Sequence, residues 1–324
     1  ELLEPSKDDG TRTSDDEGDV GVLRTWRAMC PELQERWPED EQPEDWEGVT
    51  IENGRVVQLN LEQLGLTGAV PAEIGRLSAL TYLNFSINQL TSLPAEIGQL
   101  TSLEGLYLGC NQLTSVPAEI GQLTALRGLN LGGNQLRSVP TEIGQLTALK
   151  GLDLRGNHLT SLPAEIGQLT SLRELTLRDN LLTSLPAEIG KLTSLTKLDL
   201  YGNQLRSVPA EIGQLTALGE LRLDYNQLMS VPAEIGQLAS LKVLDISGNQ
   251  LTSLPAEIGQ LTALTELNLE GNQLTSVPAV IWQLTALRQL NLCNNQLTSV
   301  PAAIRELGAA GCQVYLGAGV RVDE

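Results

Sequence analysis

From Leu80 onward the apolar residues keep a fixed rhythm: Leu103, Leu106, Leu108, Leu113, Ile120 and Leu123 return as Leu126, Leu129, Leu131, Leu136, Ile143 and Leu146, 23 residues later. Two patterns alternate inside each period. Around Leu106 and Leu108 apolar and free positions alternate, which predicts a strand with one face buried. The next stretch, Thr-Ser-Val-Pro-Ala-Glu-Ile-Gly, turns the chain back. Pro117 suits the first position of a single helical turn and Gly121 the position just past its end. Ile120, Leu123 and Leu126 then point back onto the strand leucines. One such unit cannot bury its apolar side alone, so the pattern predicts stacked coils sharing a continuous core.

One asparagine fixes the register. Asn88, Asn111, Asn134, Asn157, Asn180, Asn203, Asn226, Asn249, Asn272 and Asn295 stand 23 residues apart, within the pattern L-x-x-L-x-L-x-x-N-x-L. Over roughly residues 55 to 310 the chain resembles the leucine-rich repeat family. The resemblance implies an α/β solenoid, a horseshoe whose parallel β-sheet of about twelve strands lines the concave face. Short helical turns would form its convex face. The asparagines are expected to turn inward and satisfy backbone groups of their own and the adjacent coil, making a structural ladder. The glutamates of the repeated PAEIG, such as Glu96 and Glu119, suit the first turn of a short helix and a solvated convex side.

The ends read differently. Residues 1–18 are polar and acidic and are expected to be disordered. Residues 19–54 form the expected helical cap: Leu23, Trp26, Cys30, Leu33 and Trp37 recur at steps of three and four, with Pro31 as a break and Ser14–Glu17 as a capping pair. Residues 55–300 are the repeats and 301–324 a C-terminal cap, in which Val314 and Leu316 are placed for a last strand. The stretch Trp46 to Gly75 resembles the amino-terminal cap and first repeat of plant-type members of the family, matching at Trp46, Gly48, Val49, Gly54, Arg55, Val56, Gly68 and Pro71. The cysteine of that cap falls on Ile51, so its disulfide cannot form. The later repeats look more like intracellular members, including the Ras-binding group.

Composition narrows the function. Aromatics are 3% of the chain, so the expected core is leucine, isoleucine and valine without aromatic clusters. A net charge of −19 argues against nucleic acid and anionic membranes as partners, and no apolar run is long enough for membrane insertion. Cys30, Cys110, Cys293 and Cys312 lie too far apart along a solenoid to pair. A reducing, cytoplasmic compartment is the expectation, with an extracellular one as the alternative. The sequon at Asn84 falls on a strand and reads as accidental. His158 stands alone at a turn, and no nucleophile elbow, phosphate loop or metal cluster appears, so neither enzyme activity nor a cofactor is expected.

What varies between repeats lies at the free strand positions. The predicted partner-binding face comprises Tyr107, Lys150, Asp153, Arg155, Arg173, Glu174, Arg178, Lys197, Asp199, Tyr201, Glu220, Arg222, Asp224 and Tyr225. Beside this mixed-charge wall, Gly105, Gly109, Gly128, Gly132, Gly133 and Gly151 predict a floor poor in side chains. The expected function is non-catalytic binding of a protein or peptide in the concave face, by a chain that is a monomer rather than a dimer. Two alternatives are the recognition ectodomain of a secreted or cell-surface receptor, and an ice-binding or lattice role for the threonine row Thr91, Thr114, Thr160, Thr183, Thr252, Thr275 and Thr298. Arg137, Arg206 and Met229 interrupt that row.

Overall fold

The computed structural model describes residues 18–324; the acidic tail and the Ser14–Glu17 pair lie outside the described residues, Gly18 excepted. Among the described residues thirteen strands make one sheet, added in chain order. The edge strand Val49–Glu52 pairs antiparallel with Arg55–Asn60. Every later pairing in this sheet, out to the last strand Gln313–Tyr315, is parallel. Thirteen strands less the antiparallel edge leaves the twelve parallel ones that the repeat count implied. Each strand is three residues long through the repeats, with the middle leucine buried, as in Gly105–Tyr107 and Gly128–Asn130. Coils touch only their immediate neighbours, strand to strand and turn to turn.

The asparagine ladder stitches these neighbours. Asn111 Oδ1 accepts the Leu90 N–H of the preceding coil at 3.0 Å. Its Nδ2 donates to the Phe85 carbonyl of that coil at 2.9 Å and to the Leu108 carbonyl of its own at 3.1 Å. Asn134, Asn157 and Asn180 repeat the arrangement. A loop buried inside the stack would otherwise leave these backbone groups unpaired.

The convex turns are 3-10 helices such as Ala118–Gln122, and they correct two expectations. Pro117 is the residue before the turn, extended at φ −66° and ψ 148°. Gly121 is inside the turn, and the next coil explains it. A Cβ on Gly121 would lie 2.6 Å from the Glu142 carbonyl oxygen, and the same approach recurs at Gly98, Gly144 and Gly190. The glycine is the contact at which one turn nests on the next. Trp282 occupies this position in the last turn, Ala279–Gln283, where helix α3 (Ile304–Ala309) packs in place of another coil.

At the other end α1 (Asp19–Met29) and α2 (Pro31–Arg36) meet at Cys30, with Pro31 opening the second helix. Asp19 anchors α1 on the first coil, accepting the Val56 N–H at 2.8 Å and pairing with Arg55 at 3.0 Å. An aromatic cluster does form here, against expectation. Trp37 stacks on Trp46 at 5.0 Å, and Trp26 meets Trp37 and Phe85 edge-on. Scarcity along the chain hid a local concentration: these rings seal the open end of the leucine core, where a flat coil face needs a large cover.

Candidate functional site

The parallel register turns the free strand positions into straight columns on the concave face. Gly105, Gly128, Gly151, Glu174, Lys197, Glu220 and Val243 are successive partners, as are Tyr107, Asn130, Asp153, Thr176, Asp199, Arg222 and Asp245. Two adjoining recesses lie over them. The first, about 450 Å³, is lined by Tyr107, Gly151, Asp153, Arg155, Glu174 and Thr176 and runs to Arg178, Lys197 and Asp199. The second, about 310 Å³, shares those last three and adds Tyr201, Arg222 and Asp224.

Most of the predicted face is thereby gathered in one groove. Lys150 instead faces a neighbouring hollow with Tyr82, Glu104 and Arg127, which meets the first recess at Tyr107 and Gly128. Arg173 is exposed and lines none of these three recesses. Tyr225, 62% exposed, stands beside the groove with its ring edge-on to Tyr201 at 5.4 Å.

The charges are largely matched within the wall. Arg155 pairs with Asp153 at 2.7 Å and Arg178 with Asp179 at 3.1 Å. The Arg178 guanidinium also lies 5.1 Å from the centre of the Tyr201 ring. Glu220 gathers Lys197 at 3.3 Å and Arg222 at 2.5 Å. Burial works to raise the Glu220 carboxyl, but the bonds from those two cations outweigh it and hold the pKa below the ordinary glutamate value. The exposed Arg178–Asp179 pair is worth at most about 1 kcal/mol and can be exchanged for a ligand at small cost, whereas Glu220 is half-buried between its two cations.

The glycine floor is only partly bare. The Tyr107 ring lies against Gly105 and its hydroxyl over Gly128, at 3.0 and 3.3 Å from where a Cβ would stand. Asn130 closes over Gly109, and Arg155 with Asp153 over Gly132. Gly151 alone of the six has open space above it. Reading glycines as vacancies missed that their neighbours lean into the space.

A second role was missed in the central column. Asn84, Asn130, Asp153, Asp199, Asp245, Asn268 and Asn291 each turn a side-chain oxygen back onto the N–H two residues on. That is an Asx turn closing the end of the strand. Asp153 and Asp199 thus lend one oxygen to the fold and keep the other on the groove. The column's bias toward Asn and Asp was visible in the sequence and was the signal for this cap. Asn84 is buried, its amide donating to Glu62.

His158 is exposed, and the described residues contain no group of acids, cysteines or histidines able to hold a metal ion. All four cysteines are free. No described helix is long and apolar enough to cross a membrane.

The model for the leucine-rich repeat region matches residues 118–228 and 220–310, more than half of the 324-residue chain, and that for paired leucine-rich repeats matches 78–119. The chain is a leucine-rich repeat protein. A leucine-rich repeat protein of Leptospira interrogans is 45% identical, over 78% of this chain and 64% of that one, with a TM-score of 0.73. The Arabidopsis receptor kinase HAESA, solved with the peptide hormone IDA and the co-receptor SERK1, is 28% identical over 94% of this chain and 54% of that one, with a TM-score of 0.78. The receptor-like serine/threonine-protein kinase GSO2 of Arabidopsis thaliana shares 36% identity over 69 residues, 21% of this leucine-rich repeat chain and 5% of the kinase. The chain spans less than two thirds of the length of each of these proteins.

Proposed function

We propose that this leucine-rich repeat protein is a non-catalytic interaction module that holds an extended protein or peptide segment in the concave groove between Tyr107 and Asp224. The observation that carries the reading is the groove itself. Two recesses join over adjacent strands, their walls carry both signs of charge, and their ion pairs reach solvent on at least one side. Charge there sets specificity and on-rate, and Tyr107, Tyr201 and Tyr225 supply amphipathic contact area. Solved relatives that hold peptide hormones support the same use of the fold. The four free thiols favour a reducing, cytoplasmic compartment, and the net charge of −19 favours a monomer. A receptor ectodomain is the second reading, favoured by the plant-receptor relatives.

Gly151 gives a clean test, because a Cβ there meets nothing within 4 Å. Gly151→Trp fills the recess in a strand position that tolerates aromatics. The expected result is an unchanged melting temperature and at least about tenfold weaker capture of the partner from lysate or culture medium. Reversing Arg155, Arg173, Arg178 and Lys197 to Glu should lose the same partner. If wild type and both variants retain an identical set of proteins, the concave reading is wrong. The fraction that yields the partner decides the compartment.

A further inference from the structure

Asp224 is the most poorly compensated group in the groove. Its residue is only 6% exposed, it lines the second recess, and its Oδ1 has no hydrogen-bond partner. The cations that could serve it are turned elsewhere. Arg222, which ends the strand two residues earlier, spends its Nε on Glu220, and Lys197 reaches Glu220 as well. The neighbouring carboxylates differ in kind: Asp199 caps the Tyr201 N–H, and Asp245 holds the Ser247 N–H and hydroxyl and the Asn268 amide. A buried carboxylate oxygen left unmatched costs folding free energy, and a polar group kept at such a cost calls for an explanation.

We propose that Asp224 is the receptor for a cationic side chain, lysine or arginine, carried by the segment bound in the groove. This rests on the function proposed above and adds the chemistry of one anchor. The strands of Gly151 and Asp224 are three steps apart, about 15 Å at ordinary strand spacing, which four or five extended residues reach. A bound ammonium or guanidinium would satisfy Oδ1 and relieve the repulsion among Asp199, Asp224 and Asp245. Burial, then repulsion from Asp245, pushes the Asp224 carboxyl up to about 6, against the pull of its own amide and of Arg222. Cation binding therefore weakens as pH falls below about 6, where the carboxyl is neutral, by up to about tenfold per pH unit.

The probe is a phage-displayed library of random dodecapeptides selected on the wild-type protein at pH 7.5. Expected are peptides sharing one fixed Lys or Arg, lost on Gly151→Trp, and bound about 10- to 100-fold more weakly by Asp224→Asn. For a synthetic copy of such a peptide, affinity should fall between pH 7.5 and 5 on the wild type and stay flat on Asp224→Asn. Relacing the fixed Lys by Arg, and the reverse, shows which cation the site prefers. Asp224→Asn should melt at or above the wild-type temperature at pH 7.5, so a folding defect cannot mimic the result. Peptides lost on Gly151→Trp but indifferent to Asp224→Asn overturn the cation anchor and leave the groove intact. Peptides indifferent to both variants, or no selected peptide at all, overturn both.

Discussion

Ile87 is a β-branched residue held at φ 59°, a backbone conformation that glycine fills at Gly133, Gly156, Gly202, Gly248 and Gly271 of later coils. The left-handed region costs an ordinary residue roughly 1–2 kcal/mol, and a β-branched one most. The side chain recovers little, being 47% exposed. Ile87→Gly would relieve the strain but enlarge the entropy of the unfolded chain by a comparable amount. Ile87→Asn keeps the relief without that loss, and Asn294 already adopts φ 54° at the same point of its coil. Ile87→Asn should therefore stabilise by about 1 kcal/mol in urea unfolding, and a lower midpoint would count against the strain. At this scale the sequence was informative where a residue answers to its own coil. The strand leucines and the ladder asparagines were readable because each does one thing in every repeat. The Asx caps were overlooked because the same column also varies to Tyr107, Thr176 and Arg222, which make no such bond.

The 3-10 turn shows where reading one element by itself fails. Within a single repeat the Gly of PAEIG looks like a terminator, and its actual constraint comes from the following coil. A Cβ at Gly144 would stand 2.6 Å from the Glu165 carbonyl oxygen and 2.7 Å from Gln168 Oε1. The exposed Gln168 side chain can swing aside, but the Glu165 carbonyl is backbone of the next turn and cannot. Gly144→Ala should therefore destabilise by about 1–3 kcal/mol, although alanine is the better helix former by about 1 kcal/mol. A melting temperature unchanged or raised by Gly144→Ala would show the turns free to separate. Trp282 is the natural contrast. It is buried at the equivalent position because α3 and not a further turn follows it. The oddity of Trp282 was legible in the sequence, and its meaning needed the end of the stack.

For the molecule as a whole, near-identical coils joined only to their neighbours make stability a matter of where a break occurs. In such a stack each coil contributes its own free energy plus an interface term, and unfolding is cooperative while the interfaces stay strong. Asn180 sits in the middle, accepting the Leu159 N–H at 3.1 Å and donating to the Leu154 and Leu177 carbonyls at 2.9 and 3.0 Å. Asn180→Ala strands those buried groups at about 1–3 kcal/mol each, which weakens a single interface far more than the average coil. The N-terminal and C-terminal halves should then unfold separately. Circular dichroism in urea would show two transitions, or one broad transition of reduced slope. Asn295 makes the same bonds at the far end, to the Leu274 N–H and the Leu269 and Leu292 carbonyls. Asn295→Ala can detach only the last coil and cap, so its main transition should stay single and nearly as steep. Hydrogen exchange of the strand amides separates the cases: protection should fall on both sides of the break for Asn180→Ala and only beyond Leu274 for Asn295→Ala. Equal, uniform loss of protection in both variants would mean that the solenoid unfolds as one indivisible unit, with coupling that reaches past nearest neighbours.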